Sequence, residues 1–205
     1  MEEITELSEM EFDALREIGN IGAGNAATAL SQLLNRKIDM AVPEVKVLPL
    51  EEVAECMGGE DSIVAGIFLR VFGNAPCSVM FLLPRKSALN LVDMLLGKAN
   101  GTTKILNDLD QSALKEIGNI LSASYLNALS QMTNLTLLPS VPALAFDMLG
   151  AILSVLLAEL GEVGDYALVM ETEFTEESQE VKGHFFLIPD PGTLEVILRT
   201  IGVRN

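Results

Sequence analysis

A chain of 205 residues, 49% hydrophobic and with a mean hydropathy of +0.37, has the apolar content to bury a sizeable core, which excludes an intrinsically disordered protein. Thirteen Lys and Arg against 29 Asp and Glu give a formal charge of −16, a field that repels phosphate backbones and anionic lipid, so no nucleic acid and no membrane is expected as partner. Two cysteines cannot build a disulfide framework, no signal-like leader opens the chain, and the longest apolar run, Met148 to Ala158, is too short to span a bilayer; a cytoplasmic chain is expected.

Residues 9 to 35 carry apolar positions at 15, 18, 22, 26, 29 and 33, a near-3.6 period that predicts a long helix. A strand follows over Lys37 to Leu48, where prolines remove ladder donors and favour a sheet edge or a strand end. After a short helical segment, Ser62 to Phe72 and Cys77 to Leu83 read as strands joined by a hairpin turn at Gly73-Asn74-Ala75-Pro76. A helix from Lys86 ends near Gly97, and Lys98 to Asn107, rich in Gly, Thr and Asn, reads as a joint. The order then recurs: a helix over 108 to 134, a strand over Leu135 to Val141, strands over Asp165 to Phe174 and Val181 to Ile188 with an acidic turn at Glu176-Glu177, and a helix from Thr193 to near Gly202. Between them, Ala143 to Leu160 reads as one very apolar helix containing Asp147, either a core helix or the wall of a partner groove. The acidic residues from Glu159 to Glu180 read as a solvated edge, and the lone His184 as a strand residue with neither metal-ligand nor triad partners at a recognised spacing.

The recurrence is literal. EIGNI occurs at Glu17–Ile21 and Glu116–Ile120, an offset of 99, and at the same offset Ala29-Leu30-Ser31-Gln32 meets Ala128-Leu129-Ser130-Gln131 and Pro43 meets Pro142. Later the offset drifts to 105, aligning Phe81-Leu82-Leu83-Pro84 with Phe186-Leu187-Ile188-Pro189 and Gly97 with Gly202. A half with three strands leaves an unpaired edge and a bare face, so the expectation is an α/β (α+β) fold in which two repeats, 9–97 and 108–202, make one fused pseudo-two-fold unit over 1–205. Long helices would pack on a mainly antiparallel sheet.

On the first helix Asp13, Glu17, Asn20 and Gly24 are spaced +4, +3, +4 and share one face; the second repeat offers Ser112, Glu116, Asn119 and Ala123. A mid-helix Asn is a mediocre helix former, and a small residue beyond it admits close approach to the helix backbone, so the stripe reads as a docking face; the plainer alternative is a solvated helix surface. Gly19, Gly22 and Gly24 lack the spacing and preceding strand of a nucleotide loop, and serve packing or partner approach instead.

The patterns Asp13-x3-Glu17-x2-Asn20-x22-Pro43 and Ser112-x3-Glu116-x2-Asn119-x22-Pro142 resemble the double signature of the CheC phosphatases of bacterial chemotaxis. The related CheX proteins carry one such motif, and FliY adds further segments. The resemblance implies hydrolysis of the aspartyl phosphate on the response regulator CheY, with magnesium held by the regulator and no cofactor on this chain. Asn20 and Asn119 would position the attacking water, since an amide donates to and accepts from water but is no base near neutral pH. Glu17 and Glu116 would meet a regulator lysine, Pro43 and Pro142 would fix the path after each helix, and Phe146, Asp147 and Met148 would bind the receptor deamidase CheD. The competing function is a non-catalytic adaptor that binds CheD or the flagellar switch.

Overall fold

The computed structural model describes residues 7–160, 166–176 and 179–204. In chain order the first repeat contributes α1 (Glu9–Leu34), β1 (Asp39–Ala41), β2 (Val45–Pro49), a 3-10 turn leading into α2 (Val53–Cys56), β3 (Ile63–Gly73), β4 (Cys77–Pro84) and α3 (Arg85–Leu95). The second contributes α4 (Asp108–Thr133), β5 (Leu137–Pro139), β6 (Ala143–Met148), α5 (Leu149–Leu160), β7 (Tyr166–Glu176), β8 (Gln179–Pro189) and α6 (Thr193–Thr200). The turn expected at Glu176-Glu177 falls partly outside the described residues, as do several of the acidic residues grouped with it.

Each repeat folds its own hairpin and gives its leading strands away. β3 and β4 pair antiparallel, as do β7 and β8, and the two hairpins meet through β4 and β8, where Phe81 lies opposite Phe185. β1 and β2 leave their own hairpin and pair antiparallel with β7, while β5 and β6 pair antiparallel with β3. The eight-stranded sheet therefore runs β1/β2-β7-β8-β4-β3-β5/β6, with the proline-broken strands at its two edges as their missing donors require. Arg70 of β3 clamps Asp190, before α6, through two parallel bonds, a further tie between repeats.

Side-chain alternation divides the core between two faces. Ile67, Leu69, Phe81, Leu83, Met170, Phe174, Phe185 and Leu187 pack under α1, α3, α4 and α6. Phe68, Met80, Leu82, Val169, Phe186 and Ile188 pack under α2 and α5. Phe81 and Phe186, which the 105-residue offset aligns, thus face opposite sides of the sheet; the spatial counterpart of Phe81 is Phe185. A one-residue slip in a strand turns every side chain over, and the similarity of FLLP to FLIP concealed it.

Two further expectations are corrected. The strand expected over Lys37 to Leu48 is divided at residues 42–44, around Pro43. Ala143 to Leu160 is not one helix: Ala143–Met148 is β6, paired residue by residue with Ile63–Phe68, and only Leu149–Leu160 is helical. Apolar runs do not distinguish buried strand from helix, whereas the 99-residue offset does, because it lays β6 on β2. Phe146, Asp147 and Met148 accordingly sit on an edge strand, and Asp147 points to the opposite side from its two neighbours.

The long helices touch where a side chain is missing. A Cβ on Gly22 would lie 2.5 Å from Cδ1 of Tyr125 and 3.0 Å from its Cα, so the Tyr125 ring occupies the notch, stacked on Phe185 at a centroid separation of 4.3 Å. Gly22→Ala should therefore lower the unfolding free energy in urea by about 1–3 kcal/mol, despite the better helix propensity of Ala. Unchanged stability would show that α1 and α4 can separate freely.

Candidate functional site

Both long helices begin in the same way. Ser8 caps α1, its Oγ accepting from the Glu11 amide at 3.3 Å, while the Glu11 carboxylate accepts from the Ser8 amide at 2.7 Å and from Arg204 Nε at 2.6 Å. Asn107 caps α4, its Oδ1 accepting from the Leu109 and Asp110 amides, while the Asp110 carboxylate accepts from the Asn107 amide at 3.1 Å and from Lys98 Nζ at 2.8 Å. Burial raises both carboxyls, and the hydrogen bonds and cations outweigh it, holding Glu11 and Asp110 below the usual carboxylate range. Each cation follows the closing helix of the other repeat, so the tail of one half fixes the head of the next. Sequence reading missed these pairs; an acid at the third helical position in both repeats was the available signal.

Within EIGNI the residues divide by role. Ile18 and Ile117 are buried, and the glycines bring the helices onto the sheet: a Cβ on Gly118 would lie 2.4 Å from Cγ2 of Ile67, and one on Gly19 3.0 Å from Sδ of Met170. Glu17, Asn20, Glu116 and Asn119 point the other way. All four are exposed, and none makes a side-chain hydrogen bond or ion pair among the described residues. Packing thus accounts for the repeated Ile and Gly and leaves the repeated Glu and Asn without a structural task.

The flanking stripe positions are exposed too. Asp13 pairs with Arg16 at 2.7 Å, whereas Ser112 turns its Oγ back to the Asp108 carbonyl at 2.9 Å, so the two stripes differ at this position. Nothing lies within 4 Å of a Cβ placed on Gly24, and Ala123 is exposed, leaving open space beside each Asn. Pro43 and Pro142 occupy the breaks between β1 and β2 and between β5 and β6, the first exposed and the second buried.

Other chemistry-bearing groups stand apart. Burial pushes the Cys77 thiol up to about 12, which removes it as a nucleophile at neutral pH. His184 lies in β8 opposite Leu82 and Glu171, and burial pulls its pKa down. Among the described residues no group of three His, Cys, Asp or Glu could hold a metal ion, and no helix is long and apolar enough to cross a membrane. Asp147 stands at an apolar groove of about 250 Å³ formed with Gly66, Phe68, Met80, Ile152 and Leu156.

The sequence pattern of the CheC-like family matches residues 10–47 and 109–145, segments that hold both stripes. Over 200 residues the chain is 44% identical to the CheY-P phosphatase CheC of Bacillus subtilis, covering 96% of each sequence. The chain belongs to the CheC-like family. Its fold is that of Thermotoga maritima FliY (TM-score 0.78, 22% identity, covering 97% of this chain and 99% of that one). It is also that of the FliM middle domain from H. pylori (TM-score 0.70, 13% identity, 95% and 99% covered).

The two capping carboxylates make stability depend on acid. Because their native pKa values are lowered, their contribution is complete above the ordinary carboxylate value of about 4 and is lost as pH falls through the lowered values. Arg204→Met or Lys98→Met should raise the midpoint pH of acid unfolding followed by circular dichroism. An unmoved midpoint would show that the cations do not set these pKa values.

Proposed function

We propose that this chain is an aspartyl-phosphate phosphatase acting on phosphorylated CheY through two sites, one on each long helix. The observation that carries the reading is the pair of outward Glu/Asn sets that packing does not require, borne by the residues of the family signature in both repeats. The activity in the name of the B. subtilis relative, 44% identical over 96% of the chain, supports it. The scaffold has the stiffness the task needs, since each stripe lies on a 26-residue helix pinned at its first turn.

Asn20 and Asn119 hold a water in line with the phosphorus, the amide both donating and accepting, so the step depends on position rather than on proton abstraction by the helix. Glu17 and Glu116, one turn back, pair with the regulator's lysine and set the depth of docking. The open space at Gly24 and Ala123 lets the regulator approach the helix backbone. The regulator brings its own magnesium, and this chain contributes positioning. CheD is a second partner in this reading, held where Asp147 stands beside the apolar groove; a surface that also used Phe146 and Met148 would have to grip both sides of the β6 edge. A purely adaptor role is disfavoured because both Glu/Asn sets are intact.

Asn20→Ala combined with Asn119→Ala should lower the rate of phosphate loss from phosphorylated CheY by about a hundredfold or more, with the fold intact, and each single variant should keep part of the rate. Full activity in the double variant refutes the positioning role. Glu17→Lys with Glu116→Lys should raise KM about tenfold by setting cation against cation, and Glu→Gln at both positions should do less. Equal loss of kcat in the Gln pair, with binding intact, would make the glutamates bases. Asp147→Lys should weaken CheD binding in calorimetry by about tenfold or more and spare unstimulated turnover. Unchanged affinity removes Asp147 from the interface.

A further inference from the structure

Met10 and Leu109 are large apolar side chains left in water, 65% and 63% exposed, at positions that the 99-residue offset makes equivalent. Each is the second residue of its long helix. That turn is firmly held, because the next residue, Glu11 or Asp110, is buried and bound to the cap and to a cation. Neither is the internal apolar contact that often accompanies a capping box, which joins the residue before the cap to the fourth helical residue. A firmly held turn thus presents an apolar side chain outward, twice, with no internal use for it among the described residues.

The position on the helix gives the use. Met10 precedes Glu17 by seven residues, which places it within about 20° of Glu17 around the axis and about 10 Å along it; Asn20 lies about 15 Å away. Leu109, Glu116 and Asn119 repeat that spacing. Common ancestry alone also leaves exposed apolar pairs, and Leu33 with Met132 is one, 58% and 37% exposed at the same offset. That pair lies about 160° around the axis from the Glu position and near the far end of the helix, so it serves as an internal control.

We infer that Met10 and Leu109 are apolar anchors for the phosphorylated response regulator, extending each Glu/Asn stripe by one turn and setting affinity rather than turnover. The inference rests on the phosphatase reading for the identity of the partner. It requires the regulator to carry an apolar patch about 15 Å from the phosphorus, on the side from which the helix N-terminus approaches. Because the backbone of each turn is pre-set, only the side-chain rotamers remain to be ordered on burial, which lowers the cost of the contact.

The test compares kcat and KM for phosphorylated CheY in the full-length protein and in Met10→Ser with Leu109→Ser. KM should rise about tenfold with kcat within about twofold, as loss of uniform binding requires. Met10→Leu with Leu109→Met should restore the original KM, and Leu33→Ser with Met132→Ser should leave it unchanged. An unchanged KM in the first variant, or an equal rise in the control, overturns the inference. If the unmodified protein does not speed phosphate loss from phosphorylated CheY, the phosphatase reading fails separately; direct titration with phosphorylated CheY then decides, lost affinity in the Met10/Leu109 variant supporting the anchors and unchanged affinity overturning them.

Discussion

Everything in this molecule depends on backbone hydrogen bonds that each repeat can obtain only from the other. β1 and β2 have no partner in their own hairpin and pair with β7; β5 and β6 pair with β3. An unpaired strand edge templates pairing with other chains, and neither half supplies the partner strands of this sheet alone. Once the strands have crossed, the position of each long helix is set at both ends: its first turn by a cation from the other half, and its following strand by the other hairpin. Two helices come to lie in contact on one face, each with one side committed to the core and one side free.

That division fixes which side chains each long helix turns outward. A helix free to shift by half a turn would present a different stripe. Here rotation is blocked by glycines pressed onto the sheet, Gly118 against Ile67 and Gly19 against Met170, and by the Tyr125 ring in the notch of Gly22. The core therefore decides which residues look outward, and the outward residues need no contact with one another to be aligned.

Much of this was legible from residues. The 3.6-residue period marks both long helices, and the 99-residue identity singles out Glu17, Asn20, Glu116 and Asn119. Prolines indicated edge strands, and the edges are where β1, β2, β5 and β6 lie. What escaped was long-range or ambiguous in one dimension. Hydrophobicity alone made Ala143–Met148 look helical, although the repeat assigns it to the strand class of β2. The Phe81/Phe186 slip is invisible in sequence, because both faces of the central strands are buried and either register reads as apolar. The exchange of strands between repeats left no local signal, since composition does not say which hairpin an edge strand joins.

The Gly22–Tyr125 contact bears on why the two halves are one chain. A symmetric pair of identical halves must place the same residues at both of its equivalent crossings. Leu121 stands in the second repeat where Gly22 stands in the first, and Ala26 stands in the first where Tyr125 stands in the second. Two copies of the first half would set glycine against alanine and leave voids; two copies of the second would set leucine against tyrosine and collide. Joined through residues 98–107, the halves need not match, and one bulky ring can serve a crossing that a homodimer would have to fill twice or not at all. Covalent linkage thus released each helix to vary, and the differing neighbours of the two stripes, Asp13 with Arg16 on one and Ser112 on the other, are variation of a kind that symmetry would have forbidden.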